Sequence, residues 1–155
     1  MEFPKGRLDL YLTEIGEPAD NDLRVVVLKA DGRGPIESTA VGEARRILPS
    51  EACPAFELIW YDYVAYAVRS ESYARFEDGE IPSEDSFKVR SASAFLAYVK
   101  ATTFATNNSP GPLIHWSLDT LNHCLDVVSA TPPEVRLLDS PERPRGPTSQ
   151  NWAKN

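Results

Sequence analysis

The sequence predicts a single α+β domain, mainly antiparallel β-sheet with one or two helices packed on it. Three observations predict it. Apolar residues step by two from Arg7 to Glu14 and again from Phe56 to Tyr73, as on a pleated strand. A β-branched run fills Leu23 to Ala30 and closes on Asp31-Gly32. Ala92, Phe95, Leu96, Val99 and Thr103 form one stripe with the spacing of an amphipathic helix. The length of 155 residues fits one domain. After Leu138 the composition turns to Pro, Arg, Ser, Gln and Asn, so the reading is a globular domain over 1–138 and a Pro/Arg-rich tail over 139–155.

Each element has its own signal. In Arg7 to Glu14 the leucines Leu8, Leu10 and Leu12 share a face, which predicts a strand. Val41, Ala44, Ile47 and Leu48 have helical spacing before Pro49, so a short helix is expected there, although Gly42 inside the window lowers helix propensity by about 1 kcal/mol relative to Ala. Phe56, Leu58 and Trp60, then Val64, Tyr66 and Val68, keep one parity, so a single long bent strand and a hairpin fit equally well. Glu77 to Asp85 carries Gly79 and Pro82 and reads as a loop; Phe87 to Arg90 reads as a short strand.

Ser91 or Ser93 caps the helical stripe, because a serine hydroxyl accepts a bond from an otherwise unpaired amide of the first turn. Thr106 to Pro112 must be a loop. Between His115 and Ser129, Ile114, Leu118, Leu121, Leu125 and Val128 have helical spacing, yet the residues between them are Trp, Ser, Asp, Thr, Asn, His and Cys. Propensity outweighs periodicity here, and two short strands about a turn at Asn122-His123 are expected.

Composition removes several function classes. A hydrophobic share of 42% excludes disorder throughout, and the longest apolar stretches, Leu58 to Tyr61 and Val64 to Val68, are far too short to span a bilayer as a helix. No membrane association is expected. The net charge of −7 repels phosphate, which disfavours nucleic acid. Met1 to Arg7 carries charges of both signs and no apolar core, so a cytoplasmic location is the expectation. Cys53 and Cys124 belong to no Cys-x-x-Cys pair and are expected to be free, buried thiols.

Few residues suggest chemistry. His115, Asp119 and His123, spaced by four and eight, are expected to share a face of either a helix or a strand, where two imidazoles and a carboxylate would suit a metal-dependent hydrolase. No His-Glu-x-x-His arrangement accompanies them, and a solvated polar stripe accounts for the same spacing; this is the alternative reading. Cys124 beside His123 does not make a thiolate pair on a strand, where neighbours point to opposite faces. Ser70-Glu71-Ser72 and Ser91-Ala92-Ser93 lie in no nucleophile elbow, and Asp31-Gly32-Arg33-Gly34-Pro35 lacks the Lys and Ser/Thr of a phosphate loop. No cofactor and no catalytic residue are indicated.

The surface reading is more productive. Glu77, Asp78, Glu80, Glu84 and Asp85 concentrate negative charge in one loop, which can steer a basic partner, and Tyr61, Tyr63 and Tyr73 offer amphipathic anchors beside it. In the tail, Pro141, Pro144 and Pro147 recur every third residue with Arg143 and Arg145 between; a flexible terminus explains this more simply than a polyproline ligand. Trp152 stands out there as a large ring that would be costly to leave in water.

Phe56-Glu57-Leu58, Val64 to Ser72, Ser93-Ala94-Phe95-Leu96, Asn122-His123, Asp126 to Ser129 and Pro133 together resemble a loose group of uncharacterised small bacterial proteins over residues 56–135. Some of these are encoded near polymorphic toxins. The resemblance implies an immunity-type inhibitor and supplies no active-site residue. The function expected is therefore a non-enzymatic protein-binding module that neutralises a basic toxin domain, its contacts made by Tyr61, Tyr63, Tyr73, Glu77, Asp78, Glu80, Glu84 and Asp85.

Overall fold

The structure, a computed structural model, describes residues 1–30, 36–45, 53–75 and 84–139. The turn expected at Asp31 to Pro35, the acidic residues Glu77, Asp78 and Glu80, and the tail from Ser140 with Trp152 lie outside them. In chain order the elements are β1 (Leu10–Ala19), β2 (Asp22–Lys29), β3 (Ile36–Thr39), β4 (Gly42–Arg45), β5 (Ala55–Trp60), β6 (Ala65–Ser70), β7 (Phe87–Arg90), α1 (Ala94–Thr102), β8 (Ile114–Asp119), β9 (His123–Ser129) and β10 (Glu134–Leu138).

Two four-stranded antiparallel sheets face each other, one ordered β1-β2-β5-β10 and the other β6-β9-β8-β7. Strand alternation sends Leu10, Leu12, Leu23, Val25, Val27, Phe56, Leu58 and Trp60 inward from the first sheet, where they meet Trp116, Leu118, Leu125 and Val127 of the second. These residues form the main core. On one flank the N-terminal arm closes the gap: the amino group of Met1 donates to the Val135 carbonyl at 3.0 Å, and the Phe3 ring lies 5.4 Å from Phe56 and 5.3 Å from Phe87. The mainly antiparallel α+β reading holds, with a single α-helix among the described residues.

Local chemistry explains each boundary. The first strand begins at Leu10 and not at Arg7, because the Leu8 amide donates to Ser86 Oγ at 2.8 Å instead of to a sheet neighbour. Pro18 is tolerated near the far end of β1, where the register slips between Gly16 and Ala19. The helix expected over Val41 to Leu48 is corrected: its first half is the turn and second strand, β4, of the β3–β4 hairpin, and Ile47 and Leu48 lie outside the described residues. Gly42 explains the difference, since its φ of +122° is incompatible with a helix, and Val41 is 98% exposed with no core to meet.

The stretch from Phe56 to Tyr73 is neither a hairpin nor one strand. β5 and β6 belong to opposite sheets, and the chain crosses between them at Tyr61-Asp62, where Asp62 has φ 51°. The Tyr63 amide still bonds the Asn21 carbonyl in the first sheet's hairpin, while the Val64 amide bonds Val128 in the second sheet. The two strands expected over His115 to Ser129 are present as β8 and β9, and both cysteines are buried and outside any disulfide among the described residues.

On the outer face of the first sheet, Glu57 is buried between Arg24 and Arg136, the latter at 2.5 Å, and Arg24 reaches on to Glu14 at 2.6 Å. Burial works to raise the Glu57 carboxyl, but hydrogen bonds and charge from Arg136 and Arg24 outweigh it and hold it below the ordinary value of 4.5. A carboxylate depressed in the folded state contributes stability that is complete above its unfolded pKa and lost as pH falls through the folded one. Urea midpoints are therefore expected to be flat from neutrality to about pH 5 and to fall below it, more steeply in the wild type than in Glu57→Gln. Parallel acid limbs for the two proteins refute this.

Core burial gives a second expectation. Trp60→Ala costs about 3–5 kcal/mol by denaturant unfolding, because the ring is fully enclosed between the sheets. Leu137→Ala, on the edge strand and 52% exposed, costs about 0.5 kcal/mol.

Candidate functional site

The second sheet carries two different faces. Its inner residues are apolar, but the outward positions of β8 are His115, Ser117 and Asp119, and those of β9 are Cys124, Asp126 and Val128. Register assembles them into rows across the sheet. Lys88, Ser117, Asp126 and Ala67 form one row, with Arg90, His115, Val128 and Ala65 on one side of it and Asp119, Cys124 and Arg69 on the other. Helix α1 covers only the Val128 end, where Leu96 and Val99 pack against Val128 and Leu113. The uncovered remainder floors a cavity of about 490 Å³.

Segments from three parts of the chain wall this cavity: Arg7 to Asp9 of the N-terminal arm, Glu71, Ala74 and Arg75 after β6, and Asp85-Ser86 before β7. The arm is pinned there because the Gly6 amide donates to Asp85 Oδ1 at 2.6 Å, and Gly6 itself has φ +90°. Ser86 accepts from the Leu8 amide and donates to the Leu8 carbonyl at 3.1 Å.

One hydrogen-bonded chain crosses the floor. Asp126 is buried, and its Oδ2 accepts from Arg69 Nη2 at 2.8 Å while its Oδ1 faces His115 Nε2 at 2.9 Å. His115 Nδ1 lies 2.7 Å from Ser93 Oγ, and that oxygen accepts the Leu96 amide at 3.0 Å as the N-cap of α1. The Phe95 ring meets the imidazole edge-on at 5.5 Å. Burial acts to raise the Asp126 carboxyl, but the hydrogen bond from His115 and the Arg69 charge keep it below 3.8. An ionised carboxylate only accepts. A tautomer with its hydrogen on Nε2 satisfies both partners: Nε2 donates to Asp126, and the serine hydroxyl donates to Nδ1.

Two further groups complete the floor. Lys88 Nζ pairs with Asp119 Oδ2 at 2.6 Å. Ser117, 5% exposed, lies between Lys88 and Asp126 in its row.

The expected metal-ligand set does not assemble. His115 and Asp119 share the outer face, but His123 has the parity of the inward Leu125, because the turn at Thr120 to Asn122 resets the alternation before β9 begins. Among the described residues no group of three or more His, Cys, Asp and Glu side chains is placed to hold a metal ion. Asn122 is tied instead to the sandwich edge: its side chain accepts from the Leu12 amide and donates to the Leu12 carbonyl, both at 3.0 Å.

The proposed contact residues are also dispersed. Tyr61 is exposed, with its hydroxyl donating to Glu134 at 3.1 Å, and half-buried Tyr63 donates to Glu17 and packs edge-on against Tyr66 at 5.2 Å. The Glu17 hydrogen bond, followed by burial, pushes the Tyr63 phenol up to about 12. Tyr73 is 90% exposed beyond the other end of β6, a strand about 20 Å long. Glu84 is exposed, and Asp85 lines the cavity.

Of the two caps the sequence offered, Ser91 and Ser93, the structure uses Ser93; its bond to His115, and the roles of Asp126, Arg69, Lys88 and Ser117, were not foreseen. The available signal was the alternation of β8, polar at His115, Ser117 and Asp119 between apolar residues; in β9 Asp126 is a lone carboxylate between Leu125 and Val127 and follows no such period. No family model, curated protein or solved structure matches this chain. The site is read from its own geometry.

Cys124 lines the cavity, yet burial and then the Asp119 charge push its thiol up to about 11. In the native protein at pH 8, iodoacetamide is expected to alkylate Cys124 at least about a hundredfold more slowly than in the urea-unfolded chain. Equal rates by mass spectrometry overturn that placement.

Proposed function

We propose that this chain is a protein-binding module whose contact site is the charged cavity on the outer face of the second sheet. The observation that supports it most is the lining. Arg7, Arg69, Arg75, Lys88 and Arg90 line it together with Asp9, Glu71, Asp85, Asp119 and Asp126. Such a surface discriminates partners by charge pattern, and its floor residues are held on strands, so little ordering is needed on contact. A volume of about 490 Å³ takes several side chains of a partner segment.

The resemblance over residues 56–135 adds the class of partner, a toxin domain that this chain neutralises. A net charge of −7 favours a basic one, since long-range attraction raises the rate of encounter. Tyr61 and Tyr63, apart from the cavity, are secondary on this reading.

Charge reversal on the rim tests it. Affinity capture from the source cell lysate, with the captured protein titrated against purified variants, is expected to show Arg7→Glu and Glu71→Lys each weakening the complex about tenfold and changing its salt dependence. Tyr61→Ala is expected to bind as the wild type does. Loss of binding in Tyr61→Ala with both cavity variants unaffected, or no captured protein at all, overturns the proposal.

A further inference from the structure

We propose that Ser93, His115 and Asp126 constitute a nucleophilic site for hydrolysis of polar carboxylic esters at the helix end of the cavity. The inference rests on geometry that the binding reading does not use. A hydroxyl lies 2.7 Å from His115 Nδ1, and Nε2 is held at 2.9 Å by a buried carboxylate that Arg69 in turn fixes. Nucleophile, base and orienting acid stand in the order that activates a serine, and that arrangement is recognised by roles and distances, whatever the chain positions. His115 and Asp126 line the cavity with Ala94 and Phe95, the residues that follow Ser93, while Ser93 keeps part of its own surface in solvent.

Two features tune the serine. Its oxygen accepts the Leu96 amide at 3.0 Å, so a hydrogen-bond donor already faces the charge that grows as the proton leaves. It also sits at the N-terminus of α1, a helix of 9 residues, where the aligned peptide dipoles favour negative charge. The mixed charges of the lining select a polar substrate.

The chemistry balances with water as the only co-reactant. Ser93 Oγ bonds to the ester carbonyl carbon as its proton passes to His115 Nδ1. The tetrahedral adduct collapses, the carbon–oxygen bond to the alcohol breaks, and the alcohol leaves with that proton. Water then adds to the acyl carbon, gives its proton to Nδ1, and the bond to Oγ breaks; Ser93 recovers the proton and the carboxylic acid departs. Asp126 positions the imidazole throughout.

A fluorophosphonate probe on the full chain tests this directly, read by intact mass and peptide mapping. The expected result is one adduct on Ser93, with p-nitrophenyl acetate hydrolysed above the buffer rate. Ser93→Asn keeps a good N-cap and removes the nucleophile, so it is expected to retain the wild-type circular dichroism and lose the adduct. His115→Gln is expected to label at least about a hundredfold more slowly, and Ser38→Ala, on exposed β3 away from the cavity, to label normally. Asp126→Asn is expected to lower kcat per probe-labelled site with KM unchanged; counting active sites by probe incorporation separates this from a loosened fold, which lowers only the number of active sites. No adduct in the wild type, an adduct on another serine, or undiminished labelling of His115→Gln overturns the proposal. The mapping of the wild-type adduct decides the matter even if a variant fails to fold, and it is independent of whether a protein partner is captured.

Discussion

A carboxylate on a buried strand position is the constraint around which the second half of the molecule is arranged. Asp126 is enclosed on β9, and an unpaired charge there would cost several kcal/mol. Its two oxygens are answered from opposite sides, by Arg69 on β6 and by His115 on β8. The imidazole is answered in turn by Ser93, which fixes where α1 begins. The helix therefore lies over Val128 at one end of the sheet, and the remaining polar rows stay open.

The first sheet contains a useful contrast. Glu57 is as buried as Asp126 and also sits on an outer face, but both of its oxygens meet guanidinium groups and the network runs outward to Glu14. Every charge there is answered by another, guanidinium against carboxylate. The Asp126 chain ends instead on a serine beside a cavity. Two buried acids of similar exposure thus have different chemical prospects, set by whether their partners are always charged or can give and take a proton.

The cavity also depends on contacts distant in sequence. Its walls come from the N-terminal arm, the turn after β6 and the approach to β7, joined by Gly6 to Asp85 and Leu8 to Ser86. Phe3 anchors the same arm in the core between Phe56 and Phe87. Packing of one aromatic ring between the sheets and placement of Arg7 at the cavity are consequences of a single stretch of chain. No helix among the described residues is long and apolar enough to cross a membrane.

The amino-acid sequence determined which segments extend and which coil, because those preferences act over a few residues. Alternation at Leu10 and Leu12, the β-branched run after Asp22, the cap at Ser93 and the polar propensity of the His115 to Ser129 segment all act locally, and each was legible. Tertiary structure alone decided what these elements meet. The Gly42 backbone turned an apparent helix into a hairpin, and the crossing at Asp62 sent β5 and β6 to opposite sheets. The turn before β9 separated His123 from His115 and brought Asp126 to it. Period two states that residues share a face only within one strand; once the chain reverses, the register between strands fixes which side chains touch, and that register is set by the packing of both sheets together.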